Sequence, residues 1–175
     1  GGGWAGGGAV GWLGAWAWRA DAGTGWGAGG PGGGGVEGGK EAGGAVGRGV
    51  RDANGSRGGG GGWVREAGRG RNQARQSAPD VDSACFVPGT GLLAVVDLGT
   101  DTVTLYRAEA TGTLETPPVE TVRVPPGSGP RMLAFHPRLP LAALVNELAN
   151  DVLLYRYDRA GPGWTQTGRL GLPVV

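Results

Sequence analysis

The stretch "DSACFVPGTGLLAVVDLGTDTVTLYR" (82–107) returns 49 positions later as "RMLAFHPRLPLAALVNELANDVLLYR" (131–156). No gap is needed. Phe86 meets Phe135, Pro88 meets Pro137 and Leu92 meets Leu141. Ala94 meets Ala143, Val96 meets Val145 and Val103 meets Val152. Leu105-Tyr106-Arg107 meets Leu154-Tyr155-Arg156. A repeat of this length built from short apolar runs is the signature of propeller blades. The expected strands of one blade are 83–87, 92–97, 102–107 and 119–124. Those of the next are 132–136, 141–146, 152–157 and 164–170. The turn signals "PGTG", "LGTD", "ATGT", "PPGSGP" and "RAGPG" separate them. Runs such as "LLAVV" and "LAALV" are too short for helices and suit strands covered on both faces.

The fold class read from the repeat is all-β: a β-propeller fragment of about two four-stranded blades, 82–124 and 131–170, within residues 77–175. Two blades cannot close a ring, and a repeat unit buries its faces only against neighbours. Self-association through open blade edges is therefore an expected partner interaction.

Ahead of the repeat the composition changes. The chain has 41 glycines and seven tryptophans in 175 residues; about three quarters of the glycines and six of the tryptophans precede Ser77. Glycine costs backbone entropy on ordering and brings no side chain to bury. Residues 1–76 are accordingly expected to be a disordered, low-complexity segment. Tracts such as "GRGRNQAR" look like arginine–glycine RNA binders, but the arginines are sparse and acidic residues intervene. The blander alternative is a G-rich reading frame taken up by a misplaced start.

The formal net charge of +1 argues against a bulk field for nucleic acid or a membrane surface. No run of about 18 apolar residues offers a spanning helix. Cys85 is the single cysteine, which fits a reducing, cytoplasmic setting. One cysteine and one histidine make no conventional zinc site, and the glycine tracts lack a phosphate-loop context, so neither metal nor cofactor is expected.

The segments "VVDLGTDTVTLYR", "GSGPRMLAFHP" and "VNELANDVLLYRYD" resemble the lactonase family of seven-bladed β-propellers, which includes propeller-type 6-phosphogluconolactonases and carboxy-muconate cyclases. The resemblance runs from about Gln76 to Asp158. It implies hydrolysis of a sugar-acid lactone in the pentose phosphate pathway, by a carboxylic ester hydrolase without a cofactor. The implied partner is a small anionic lactone or sugar acid. The family's arginine of "GPRH" is Arg131 here, and its glutamate of "NEL" is Glu147. Its "HxHS" segment reads Asp80-Val81-Asp82-Ser83, so Asp82 stands where the family has histidine. The histidine of "GPRH" is Met132. The implied catalytic residues are thus Glu147 and Arg131, with Asp82 at a histidine position. Substrate binding falls to Arg131 and Asn146.

These residues also have plainer readings. Arg131 and Asp82 hold equivalent places on adjacent blades and could form an ion pair between blades. An ordinary aspartate titrates near 3.9, about 2.6 units below histidine, and is a weak base at neutrality. Asp97 and Asp101, with Asn146 and Asn150 in their places one repeat later, read as turn residues that bind local backbone. His136 in "FHP" reads as a strand end. With both histidines replaced, the fragment is expected to hydrolyse weakly or not at all. The alternative is a non-catalytic propeller piece that serves as a binding or interaction module.

Overall fold

The computed structural model describes residues 17–19, 25–29, 35–41, 45–47, 49–51, 57–58, 63–109 and 113–173, with side chains for 64, 66–109 and 113–173. The expectation of disorder over residues 1–76 falls largely outside these residues. Where the backbone is described ahead of Glu66, it forms seven short strands: β1 (Ala17–Arg19), β2 (Gly25–Gly29), β3 (Gly35–Glu41), β4 (Ala45–Gly47), β5 (Gly49–Arg51), β6 (Arg57–Gly58) and β7 (Trp63–Arg65). They pair antiparallel, with β7 against β4.

The repeat forms two four-stranded antiparallel sheets. The first holds β8 (Val81–Val87), β9 (Leu92–Asp97), β10 (Thr102–Arg107) and β11 (Glu120–Arg123), in meander order. The second holds β12 (Pro130–Phe135), β13 (Leu141–Asn146), β14 (Asp151–Tyr157) and β15 (Trp164–Gly171), in the same order. β9, β10 and β13 have the bounds that the sequence pattern predicts. Among the described residues no helix is long and apolar enough to cross a membrane.

The 49-residue period extends to backbone irregularities. The β8–β9 register skips Asp82, and the β12–β13 register skips Arg131. Asp101 and Asn150 both take positive φ, 56° and 51°, in the turn after the second strand of their blades. Asn and Asp tolerate that conformation better than other side chains.

One core joins the sheets. Cys85, Val87, Leu92, Ala94, Val96, Val103 and Leu105 of the first blade pack with Leu133, Ala142, Leu144, Leu153, Tyr155 and Tyr157 of the second. Phe135 meets Tyr157 edge-on at 5.6 Å, and Tyr157 stacks on Trp164 at 5.5 Å. Cys85 is fully buried there, and burial pushes its thiol up to about 12. It behaves as a small apolar side chain.

The other face of the first blade carries a second core: Val81, Ala84, Leu93, Val95 and Tyr106, with Val64 packed among them. The segment from Val64 to Gln76 lies along this side. Glu66 accepts hydrogen bonds from Tyr106 Oη (2.8 Å) and Thr104 Oγ1 (3.2 Å). Gln76 is fully buried, and its side-chain amide donates to the Leu98 carbonyl at 2.8 Å. The expected junction between residues 76 and 77 lies beside this buried anchor.

Candidate active site

The linker between blades builds the site. In "PPGSGP", Gly127 and Gly129 take positive φ, 86° and 60°. The Asp101 carboxylate accepts from both, Gly127 N at 2.7 Å and Gly129 N at 2.8 Å. The sequence suggests that Asp101 binds local backbone; its carboxylate instead reaches 26 and 28 residues along the chain, to the linker between blades. Gly129 must also be small: a Cβ there would stand 2.4 Å from Leu148 Cγ. That close approach lets the Gly129 carbonyl accept from Glu147 N (2.8 Å), and the Ser128 carbonyl from Leu148 N (3.0 Å). "GSGPR" and "NEL" are therefore stitched backbone to backbone, which sets Arg131 beside Glu147.

The bulge completes the placement. An extra residue leaves the ladder and re-aims its side chain. Arg131 is that residue in β12, and Asp82 is its counterpart in β8. The two inner strands are neighbours, because Ser83 Oγ donates to the Arg131 carbonyl at 2.8 Å.

Arg131 Nη1 donates to Glu147 Oε2. Arg75 Nη2 donates to the other carboxylate oxygen, Oε1, at 2.6 Å. The pair expected from the sequence is Arg131 with Asp82, between blades; the pair observed for Arg131 is with Glu147, within its own blade. The pair that ties the segment ahead of the blades to the second blade is Arg75–Glu147. The Arg75 and Arg131 side chains are 52% and 49% exposed, so solutes can reach both. The Arg75 bond, opposed by desolvation and aided by Arg131, holds the Glu147 carboxyl below its ordinary value. An ionised carboxylate with lowered basicity orders two guanidinium groups well. It is a poor proton acceptor near neutrality.

Arg75 is the residue that reading the sequence missed. It stands on a tight turn: Gln76 N donates to Asn72 O at 2.6 Å, and Ala74 N and Arg75 N donate to Asn72 Oδ1 at 3.2 and 3.3 Å. Gln76 Oε1 accepts from Asn72 N at 2.9 Å. A usable signal was present, since Arg75 lies in the glycine-free run from 71 to 88 and not in the glycine tract before it. Its neighbours disguised it as the end of an arginine–glycine tract.

Asn146 is brought next to Glu147 in sequence but is turned inward. It is 1% exposed, and its Nδ2 donates to Asp151 Oδ1 at 2.7 Å. Asp82 is half-buried at the bulge, and Met132 is exposed beside Arg131. His136 is exposed, and its Nδ1 accepts from Arg138 N and Leu139 N at 3.1 and 3.0 Å. That is a turn cap at the strand end, as its setting suggests. Around Arg131, what the arrangement can do is bind an anion with two planar cations, beside two carboxylates.

The family described as "Lactonase, 7-bladed beta-propeller" matches residues 39–170, so the match begins within the glycine-rich segment. A 6-phosphogluconolactonase of Bacillus subtilis is 34% identical over 91 residues, covering 52% of this chain and 25% of that protein. One from Yersinia enterocolitica is 36% identical over 89 residues, covering 51% and 27%. The chain spans about a quarter of the length of these relatives. Among solved structures, a candidate 6-phosphogluconolactonase of Bacteroides fragilis superposes with a TM-score of 0.69 at 24% identity, over 83% of this chain and 42% of that one. The periplasmic gluconolactonase of Pseudomonas aeruginosa gives 0.65 at 24%, over 86% and 40%. These two likenesses concern the fold. With the match covering most of its length, the chain belongs to the lactonase family of seven-bladed β-propellers.

Proposed function

We propose that this chain carries the anion-binding corner of a lactone-hydrolysing propeller. The favoured substrate is 6-phosphogluconolactone, opened to 6-phosphogluconate in the cytoplasmic pentose phosphate pathway. The observation that carries this reading is the meeting of Arg131 and Glu147 at the start of an inner strand. Arg131 offers a planar fork to a carboxylate or phosphate oxygen pair. It would hold the substrate and share the charge that develops on the carbonyl oxygen. Glu147 would orient it, with Asp82 the carboxylate at the histidine position. Asn146, buried against Asp151, would support the Glu147 backbone and not touch the ligand. Hydrolysis is expected to be slow, since no histidine stands at the bulge.

The test is hydrolysis of 6-phosphogluconolactone by the purified chain, with binding of 6-phosphogluconate measured in parallel. A rate above spontaneous opening that falls at least tenfold in Arg131→Ala, roughly 1.4 kcal/mol, is the expected result. Neither a rate nor Arg131-dependent binding would overturn the reading.

A second reading, an interaction module, is favoured by one specific surface. Met132, Leu170 and Leu172 are exposed at 40%, 57% and 44% on or beside the second blade. We infer that a second copy of this chain covers that face. The equivalent first-blade face is already buried by a sheet of this same chain. Sedimentation should show a dimer that Leu170→Glu dissociates; a monomer at all concentrations would exclude it.

A further inference from the structure

The Arg75–Glu147–Arg131 cluster has more built structure behind it than a surface ion pair requires. Exposed ion pairs contribute little stability. Yet Arg75 stands on a turn closed by five hydrogen bonds involving Asn72, and pinned by a fully buried glutamine. Gly70 serves the same turn: a Cβ there would stand 2.4 Å from Gln76 Cδ. The Arg75 backbone is thus as firmly set as that of Arg131.

Each arginine takes a different oxygen of one carboxylate. The two guanidinium groups therefore flank a small anionic head from two sides. Each has five N–H donors and uses one on Glu147, so four remain on each. Two cations and one carboxylate leave a charge of one, positive, in the cluster. A dianionic head would neutralise both arginines once Glu147 swings aside. A singly charged carboxylate would exchange Glu147 for its equivalent and gain little.

We propose that Arg75 and Arg131 form a two-armed clamp for a phosphate group, with Glu147 holding both arms in place until the ligand displaces it. This rests on the anion-binding reading of the site above. It adds the second arm and the selectivity for a phosphorylated over an unphosphorylated sugar acid. Arg75 comes from the segment ahead of the blades, so phosphate selectivity would be a property of that segment and not of the repeat.

The experiment is calorimetric titration of the full chain with 6-phosphogluconate, gluconate and inorganic phosphate. Arg75→Ala should weaken 6-phosphogluconate about tenfold or more and leave gluconate within about twofold. Arg75→Lys should recover part of the loss, keeping charge without the planar fork. Arg131→Ala should weaken both sugar acids. Glu147→Gln should tighten inorganic phosphate several-fold, because the competing internal carboxylate is gone. An Arg75→Ala variant that binds 6-phosphogluconate normally overturns the clamp, while the site reading survives if Arg131→Ala still weakens it. Equal loss of both sugar acids in Arg75→Ala, with a lowered melting temperature and no rescue by lysine, makes Arg75 a structural tie and also overturns the clamp. A chain that binds none of the three ligands overturns the clamp and the site reading together.

Discussion

The two blades repeat one sequence pattern in unequal surroundings. In the first, every residue of β9 is buried. In the second, the equivalent β13 alternates half-buried and buried. The row Met132, Val145, Val152 and Leu170 runs across the second sheet in register. Its first-blade counterparts Val96 and Val103 are sealed at 0% and 1% exposure. The same apolar pattern thus serves as core in one copy and as surface in the other. Apolar runs specify which faces can be covered; which faces are covered depends on a neighbour.

The comparison breaks most directly at Leu105 and Leu154, the same residue one repeat apart. Leu105 is fully buried between the blades, whereas Leu154 lies half-buried on the open face. Truncating a buried leucine removes its transfer energy and leaves a cavity, together about 2–5 kcal/mol. Leu105→Ala should cost that much in a urea titration, and Leu154→Ala about 1 kcal/mol. Equal costs would mean that Leu154 is as well covered in solution as Leu105.

The second contrast is between the two left-handed turn residues. Asp101 is buried and holds the linker by two backbone N–H groups. Asn150 is exposed and donates once, to the Leu172 carbonyl at 3.1 Å. Asp101→Ala would leave two N–H groups without their acceptor, at about 1–3 kcal/mol each way the linker fails to relax. Asn150→Ala should cost about 1 kcal/mol, mainly from the positive φ. Because the Asp101-held linker aims Arg131, Asp101→Ala should also weaken anion binding, which Asn150→Ala should spare. Titrating both variants with inorganic phosphate checks the difference.

Most of the scaffold was legible in the sequence because its causes are local. The period of 49 carries strands, turns, bulges and positive-φ positions together, and each depends on residues within a few places of it. Arg131 and Glu147 were singled out by the family resemblance, and the backbone bonds between "GSG" and "NEL" are what set them side by side. Arg75 was not. Its partner lies 72 positions away, and no repeat copy announces it. The asymmetry of burial was not legible either, since it is set by what packs on a face and not by the face. Asn146 shows the opposite case. Its place beside Glu147 suggests a binding residue, while strand alternation turns it inward.

The smallest effect sharpens the contrast electrostatically. Glu66 lies against the first blade, where desolvation raises its carboxyl above the ordinary 4.5 despite the Tyr106 and Thr104 hydroxyls. Glu147 on the second blade is lowered from the same value, chiefly by Arg75. The signs oppose. A raised carboxyl favours the folded state while protonated, so the Glu66 contribution is full below 4.5 and fades as pH climbs through its raised value. A depressed carboxyl favours the folded state while ionised, so the Glu147 contribution is full above 4.5 and fades as pH falls through its lowered value. The wild-type chain should therefore lose stability on both sides of the carboxylate range. Glu66→Gln should flatten the loss on the neutral side alone, and Glu147→Gln the loss on the acid side alone. Urea midpoints across that range would resolve the two slopes. The Glu147 slope should shrink in high salt, because its arginine partners are half exposed and screened, while the Glu66 slope, set by burial, should persist.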